Sequence, residues 1–569
     1  MQAGSSGEAE GAIWLRGATS APFAILWWSL TVRPSASRST DLAQAVTRLE
    51  QARNDGSRRR GTTLLALLTA ALAALMLAPA ALAKDMVFWV NFDVALDDTI
   101  SKANLDGSGG GSDLNIQGTT VGNALGIAID ASTGKIYWAD SPGDQIKVAN
   151  LDGSGGSLLN VTGVTVESPR GIAIDPGAGK IYFSNGTNAI VGANLDGSDA
   201  TTLDTTGATV SSPYGVAIDP ANGKIYWSNF TSSAIGVANL DGSGGADDLD
   251  TTGATVNSAA GIAVDAAAGK VYWANSTGFG TLSGANADGS GSGFDLPVTF
   301  PPVSVEAPTG IALDPASGRI YWGNRNGGGV AAADLDGSDA SFLNASGATV
   351  SNATYPVLLK APVAGGLPEV SSAAAVVGGE LRCSAGQWAP DLLGAFLYRA
   401  PQSFAYEWLR DSTEIPGATS GTHTPGQAGS YSCRVGATNE AGTTSQTSGP
   451  IEVEEGDTTV EGSAGAKKTQ KQKGNKIVIK VKVKAEEDLK AKATGKVKVN
   501  PSYKLKPQSK SVSSGKKKTL KLKPKKSKDA KKIAKALKKG KKATAKLKVK
   551  LTDQAGNKKT EKLKVKLKR

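Results

Sequence analysis

Apolar positions along this chain fall in short runs of β-forming residues broken by Gly, Asp and Asn, and from Ile479 onward they alternate with Lys at the two-residue period of half-buried strands. In the middle of the chain these runs recur. Tyr137-Trp138, Tyr182-Phe183, Tyr226-Trp227, Tyr272-Trp273 and Tyr321-Trp322 share one pattern, and Phe88-Trp89 precedes them. A G-[IV]-A-[IVL]-D run starts at Gly126, Gly171, Gly215, Gly261 and Gly310. An Asp-Gly turn falls at Asp106, Asp152, Asp196, Asp241, Asp288 and Asp336. Three signatures in one order, with a period of about 45 residues, define a repeated structural unit.

Each unit reads as four strands. Ile172-Ala173-Ile174 is a short buried strand, and Asp175 to Gly179 turns the chain. Lys180 to Phe183 returns, rich in β-formers, and Ile190 to Leu195 is the third strand. Asp196-Gly197 is a hairpin turn, and Thr201 to Leu203 begins the fourth strand. Four-stranded units of this length are propeller blades. Six Tyr-Trp-like strands are present, but only five full G-I-A-I-D strands. The sixth is degenerate, Tyr355 to Leu359, and should pair with Val87–Val90 to close a six-bladed ring without exposed edges.

The strand K-[IV]-Y-[WF]-[AS]-[ND], the inner P-x-G-I-A-I-D and the A-N-L-D-G-S turn resemble the YWTD repeats of low-density-lipoprotein-receptor-type six-bladed β-propellers, over about 86–360. The family's Thr-Asp is Ala139-Asp140 here, with Asn in later units, and no epidermal-growth-factor-like neighbour follows. The resemblance implies the fold but not the receptor's ligands.

Residues 361–368 read as a Pro- and Gly-rich linker. Beyond it, over 369–453, the order Cys383, Trp408, Tyr431, Cys433 is similar to bacterial immunoglobulin-like domains, with an insertion around Asp391–Ser403. That resemblance implies a β-sandwich, a Cys383–Cys433 inter-sheet disulfide and a tyrosine corner. Two cysteines in the whole chain fit one bridge and cannot make a cysteine-ligated zinc site. His423, the sole histidine, reads as a surface residue in a polar loop, so a His-rich metal site is excluded.

A second linker, 454–468, leads to a basic module over 469–569. There Ile479, Val481 and Val483 alternate with Lys480, Lys482 and Lys484, and similar alternation recurs to Leu567. Ile533 and Leu537 suggest one short helix near 529–539. The module resembles Lys-rich C-terminal β domains of secreted proteins of high-GC bacteria. The fold class is therefore all-β: a six-bladed propeller, an Ig-like sandwich and a basic β domain with one short helix.

Charge sharpens this division. Residues 466–569 hold 40 Lys and Arg against 6 Asp and Glu, a net of +34, while the rest of the chain is net −22. Of the 40, 39 are Lys, and Tyr503 is the module's one aromatic residue. Arg-based base readout and aromatic stacking are thus missing, and no sequence-specific nucleic-acid contact is expected. A field of point charges suits anionic cell-wall polymers or membrane phosphates. The structural alternative is that lysines guard exposed strands and keep the module soluble.

Arg58-Arg59-Arg60, the apolar stretch Leu64–Leu77 and Ala81-Leu82-Ala83 follow the order of a secretory signal peptide over 58–83, with cleavage after Ala83. The alternative is a membrane anchor through Thr62–Ala83. Residues 1–57 read as an over-extended or disordered N-terminus.

No nucleophile elbow, phosphate loop or paired catalytic motif stands out, so no enzyme activity, cofactor or metal is expected. The Asp-Gly-Ser runs lack the Asp ladder of a calcium loop and read as turns. Asp130, Asp175, Asp219, Asp265 and Asp314 recur beside turns and read as structural. By contrast, the loops on the opposite propeller face vary between units, and functional residues commonly sit on such loops. Arg170, Tyr214, Phe230, Phe279 and Arg325 are therefore the candidate ligand-binding residues. The reading is a secreted or cell-surface binding or adhesion protein. Its propeller takes a protein or glycan, its Ig-like module is a spacer, and its Lys module gives retention. The alternatives are a lactonase-like, metal-dependent propeller hydrolase and a purely structural surface protein.

Overall fold

The computed structural model describes residues 84–92, 98–277, 280–298, 305–326 and 328–569. The expected signal segment and everything before it lie outside the described residues. Among the described residues no helix is long and apolar enough to cross a membrane. The architecture is predominantly β-strand, with one α-helix, Ser527–Lys538, among the described residues. That helix starts two residues ahead of the expected 529 and buries Ile533 and Ala534.

Five four-stranded antiparallel sheets follow one another, each made of consecutive strands; the first comprises Ala124–Asp130, Lys135–Asp140, Gln145–Asn150 and Ser157–Leu158. A sixth joins distant parts of the chain. Its strand Ala353–Leu359 pairs antiparallel with Met86–Asn91, which continues to Thr99–Asn104 and Gly111–Asp113. The leading strands of the six sheets touch one another in a closed cycle. Trp89, Trp138, Trp227, Trp273 and Trp322 are fully buried between the sheets.

The repeat residues explain the ring. A Cβ on Gly126 would collide with the Arg170 carbonyl, one on Gly171 with that of Tyr214, and one on Gly215 with that of Ala260. Glycine is required there because each leading strand lies against the backbone of the next sheet. The small residue after the Tyr-aromatic pair ties sheets together: Ser184 Oγ accepts from the Gly171 N–H at 2.9 Å and donates to the Tyr214 carbonyl at 2.7 Å. Ser228 does the same for Gly215 and Ala260. The following Asn pins the loop that leads into its own sheet, as Asn229 Oδ1 accepts from Ser211 N–H at 2.8 Å. Trp227 Nε1 donates to the Thr209 carbonyl of the same loop at 2.9 Å. The Asp-Gly-Ser runs are turns, with Asp152 Oδ1 accepting from Ser154 N–H at 2.8 Å.

The segment around Asp391–Ser403 does not hang from a spacer. Asp391 Oδ1 folds it by accepting from the N–H groups of Arg399 (2.6 Å) and Ala400 (2.8 Å). Its strand Leu397–Tyr398 pairs in parallel with Ala353–Leu359 as a fifth strand of the closing sheet. Its turn Leu393–Ala395 meets four further leading strands, and Gly394 sits against Ile218 and Val264. Ala395, Phe396, Leu397 and Tyr398 belong to the core of the ring. The spacer expectation is therefore corrected: apolar burial and β-pairing fix this segment across one mouth of the ring. The expected linker 361–368 also takes part in pairing, since Ala364–Gly366 pairs with Gln387–Trp388.

Trp408, Tyr431 and Cys433 form a separate small core, with the Cys383–Cys433 disulfide beside it. Tyr431 Oη donates to the Gln427 carbonyl at 2.9 Å. His423 is not in a polar loop. It lies on the strand Thr422–His423, its ring between Trp408 and Tyr431 at 5.5 and 5.7 Å, and burial lowers its pKa. In the basic module, Ile479–Ala485 alternates strictly between buried and exposed positions. The expected linker 454–468 contributes the strand Gly462–Gly465, which pairs with it.

Candidate functional site

The two mouths of the ring differ. At the turn side, Asp130, Asp219 and Asp314 spend their carboxylates on the N–H groups of their own turns, and the inserted segment covers them. Lys360 reaches in to Asp314 at 2.8 Å and Asp85 at 3.4 Å. Burial works against its charge, yet these two carboxylates hold its pKa above the usual lysine value.

At the other mouth, four of the leading strands begin with a bulge at the repeat glycine. Leu125, Tyr214, Ala260 and Tyr355 meet there as an apolar floor, with Phe92 and Phe230 packed on it. Tyr214 stacks on Phe230 with ring centroids 5.2 Å apart and on Tyr355 at 6.3 Å. The Arg170 guanidinium stands 5.1 Å from the Tyr214 ring centre, and that of Arg325 4.6 Å from Phe92. A cavity of about 410 Å³ opens above, lined by Phe92, Arg170, Tyr214, Phe230 and Arg325 with Asn123, Ser141, Ser212 and Thr231 among its polar walls.

Four of the five candidate residues thus converge on one cavity, while Phe279 lies outside the described residues. Their roles differ from a set of exposed loop contacts. Tyr214 is only 6% exposed and acts as floor, whereas Arg170, Phe230 and Arg325 remain half-buried at the rim. Burial raises the Tyr214 pKa, with Arg325 and Arg170 opposing it, so its phenol is neutral at physiological pH.

Sequence reasoning missed Phe92 and Tyr355. A signal for Tyr355 existed, because it stands where the five other units have their glycine, against Gly310 of the neighbouring sheet. It holds a left-handed φ of 43° there, and its hydroxyl is buried without a hydrogen-bond partner. Burial, then its neighbour Tyr214, pushes its pKa well above the ordinary tyrosine value.

Away from the ring, lysines of the basic module face one another across strands. Lys546 lies opposite Lys496 on one side and Lys564 on the other. Repulsion from Lys498 and these neighbours lowers its pKa. Like charges directly opposite are unfavourable in a sheet.

Among known proteins, the sequence matches the low-density lipoprotein receptor repeat class B over residues 134–176, so one such repeat motif is present. No curated protein matches the chain. Similar solved structures include a nidogen/laminin complex, at 18% identity and a TM-score of 0.38, covering 48% of this chain and 98% of that one. A hydrazine synthase of Kuenenia stuttgartiensis has 14% identity and a TM-score of 0.33 over 42% of this chain and 71% of that one. A candidate 6-phosphogluconolactonase of Bacteroides uniformis has 11% identity and a TM-score of 0.32 over 48% and 99%. At these scores no activity carries over.

Proposed function

We propose that this chain is a six-bladed propeller protein of the YWTD type that binds an anionic ligand at the open mouth of its ring. The observation that carries the reading is the pair of guanidinium groups, Arg170 and Arg325, held over aromatic rings at the rim of an otherwise neutral cavity. Arginine in such a place offers several fixed donors to a carboxylate or phosphate, and the rings offer apolar surface to the rest of the ligand. An acidic glycan or an acidic protein segment fits this chemistry. The Ig-like domain closes the far mouth and stiffens the ring. The Lys-rich module retains the protein on anionic cell-wall polymers or membrane phosphates, and residues 58–83 export it to the surface.

A second reading, a propeller hydrolase, shares the anionic ligand class, since a phosphorylated or carboxylated lactone would meet the same two arginines. Titration of the full chain with uronic-acid oligosaccharides, acidic peptides and phosphorylated lactones, with product analysis, separates the two. Binding that Arg170→Ala and Arg325→Ala each weaken about tenfold, without turnover, supports recognition. Turnover lost in the same variants supports the hydrolase. Binding equal in both variants and the parent rejects this mouth as the site.

A further inference from the structure

The basic module gathers carboxylates where its composition least favours it. Residues 466–569 hold 40 basic residues and only 6 acidic ones. Two of these, Glu487 and Asp553, meet Asp457 from the preceding segment, with one carboxylate oxygen of each within 4.8 Å of the others. The three arrive from separate places. Asp457 precedes the strand Gly462–Gly465, Glu487 lies between Ile479–Ala485 and Leu489–Lys498, and Asp553 follows Ala543–Thr552.

None of the three carboxylates is ion-paired with a lysine among the described residues, although Lys484 pairs with the neighbouring Glu486. Lys559 donates instead to the Gly462 carbonyl at 3.1 Å. Asp553 is only 7% exposed. Its Oδ1 accepts from the Asn557 N–H at 2.7 Å, while its Oδ2 is buried with no partner. The surrounding contacts hold the other donors in place. Glu487 Oε1 accepts from Glu461 N–H at 2.5 Å, and Asn557 Nδ2 donates to the Asp457 carbonyl at 2.6 Å. A buried, unpartnered carboxylate oxygen beside two more carboxylates is unfavourable unless a cation joins them.

We propose that Asp457, Glu487 and Asp553 bind a calcium ion that clips the segment before the basic module onto it. The donors are all hard oxygens, with no His or Cys anywhere in the module, which disfavours zinc and softer metals. Calcium takes 6–8 oxygen ligands at about 2.4 Å in flexible geometry, so its sphere is about 4.8 Å across and spans this trio. Magnesium needs a tighter octahedron at about 2.1 Å and keeps its waters. Asp457, exposed, accepts from the Thr459 N–H at 3.0 Å much as the Asp-Gly-Ser turns of the ring do; what sets this site apart is the buried, unpartnered Asp553 Oδ2 beside two further carboxylates.

The full chain, stripped with a chelator, is titrated with calcium chloride by calorimetry, with magnesium chloride in parallel, and its thermal unfolding is followed. One equivalent of calcium binds, more tightly than magnesium, and raises the unfolding temperature of the basic module. Asp553→Asn weakens binding at least tenfold, and so does Asp457→Asn, at an exposed position that leaves folding intact. In chelator both variants unfold at or above the parent temperature, because each removes a like charge; in calcium both unfold below it. Absence of heat and of any thermal shift at millimolar calcium overturns the proposal. So does parent-like binding in both variants, or a loss of stability in chelator, which would make the trio a purely structural cluster.

Discussion

Lys147 and Asp140 form an ion pair at 2.8 Å in which both side chains are almost completely buried. Asp140 occupies the position filled by Asn185, Asn229, Asn275 and Asn324 in other sheets, and like them it accepts from the N–H of its incoming loop, here Asn123. One oxygen is left over, and Lys147 supplies the matching charge, with a second bond to the Thr120 carbonyl at 3.1 Å. The other sheets place Val191, Gly236, Ser283 and Ala331 at the equivalent of Lys147. Asp140→Asn alone strands a buried cation and should cost about 3–5 kcal/mol. The double variant Asp140→Asn with Lys147→Val restores the pattern of the neighbouring sheets and should recover most of that loss. Urea unfolding of the four proteins of this cycle measures it, and a double variant no better than the single one counts against the account.

Tyr355→Phe removes a buried hydroxyl that has no partner. The free protein should be unchanged or more stable by up to about 1 kcal/mol, because an unsatisfied polar group leaves the core. Thermal unfolding with and without added ligand checks this. A loss above 1 kcal/mol in the free protein would show that the hydroxyl is bonded.

Gly394 lies against the Ile218 carbonyl and the Val264 side chain. Gly394→Val should lift the inserted turn from the ring and lower the unfolding temperature, without touching the arginine-lined mouth on the far side. Hydrogen exchange should then rise at Leu358 and Lys360, whose N–H groups bond to the Phe396 and Tyr398 carbonyls. Unchanged protection there argues against the clamp.

Replacing Cys383 and Cys433 by Ala opens a loop of 50 residues. On the loop-entropy model this costs about 4 kcal/mol. Trp408 fluorescence, in a variant background that isolates it, reports the loss as a lower denaturation midpoint. A midpoint equal to the parent's rejects it.

Acid should destabilise the ring through its turns. Serine hydrogen bonds, first from the side chain and then from the backbone, lower the pKa of Asp106, Asp152, Asp196, Asp241, Asp288 and Asp336 below 3.8. A carboxyl with a depressed folded pKa contributes stability that is present above its unfolded value and lost as pH falls through the folded one. The unfolding temperature should therefore decline below about pH 4, and Ser154→Ala with Ser198→Ala should flatten that decline. An unaltered slope in the double variant refutes the assignment.

How much of this was legible in the sequence depended on whether a feature repeats. The Tyr-aromatic strands, the glycine-led strands and the Asp-Gly turns announce themselves because each sheet solves the same packing problem. Gly171 must touch Tyr214, and Gly215 must touch Ala260, so the same residue type returns. The degenerate strand Ala353–Leu359 was legible by its distance from Gly310, and its pairing with Met86–Asn91 follows from the need to satisfy two edges. Alternation in Ile479–Ala485 is likewise a local property, since successive side chains point to opposite faces.

What does not repeat was settled only in three dimensions. That Arg170 and Arg325, 155 positions apart, share one cavity follows from the curvature of the ring. That Tyr355 replaces a glycine, and that the Leu393–Tyr398 segment, later in the chain, covers the far mouth, leave no periodic trace. The meeting of Asp457, Glu487 and Asp553 was hidden for the same reason, because three carboxylates scattered among lysines signal nothing until the fold brings them together. Local patterning determined which segments are strands and which faces they bury; long-range packing, which no period encodes, decided which side chains face each other across a site.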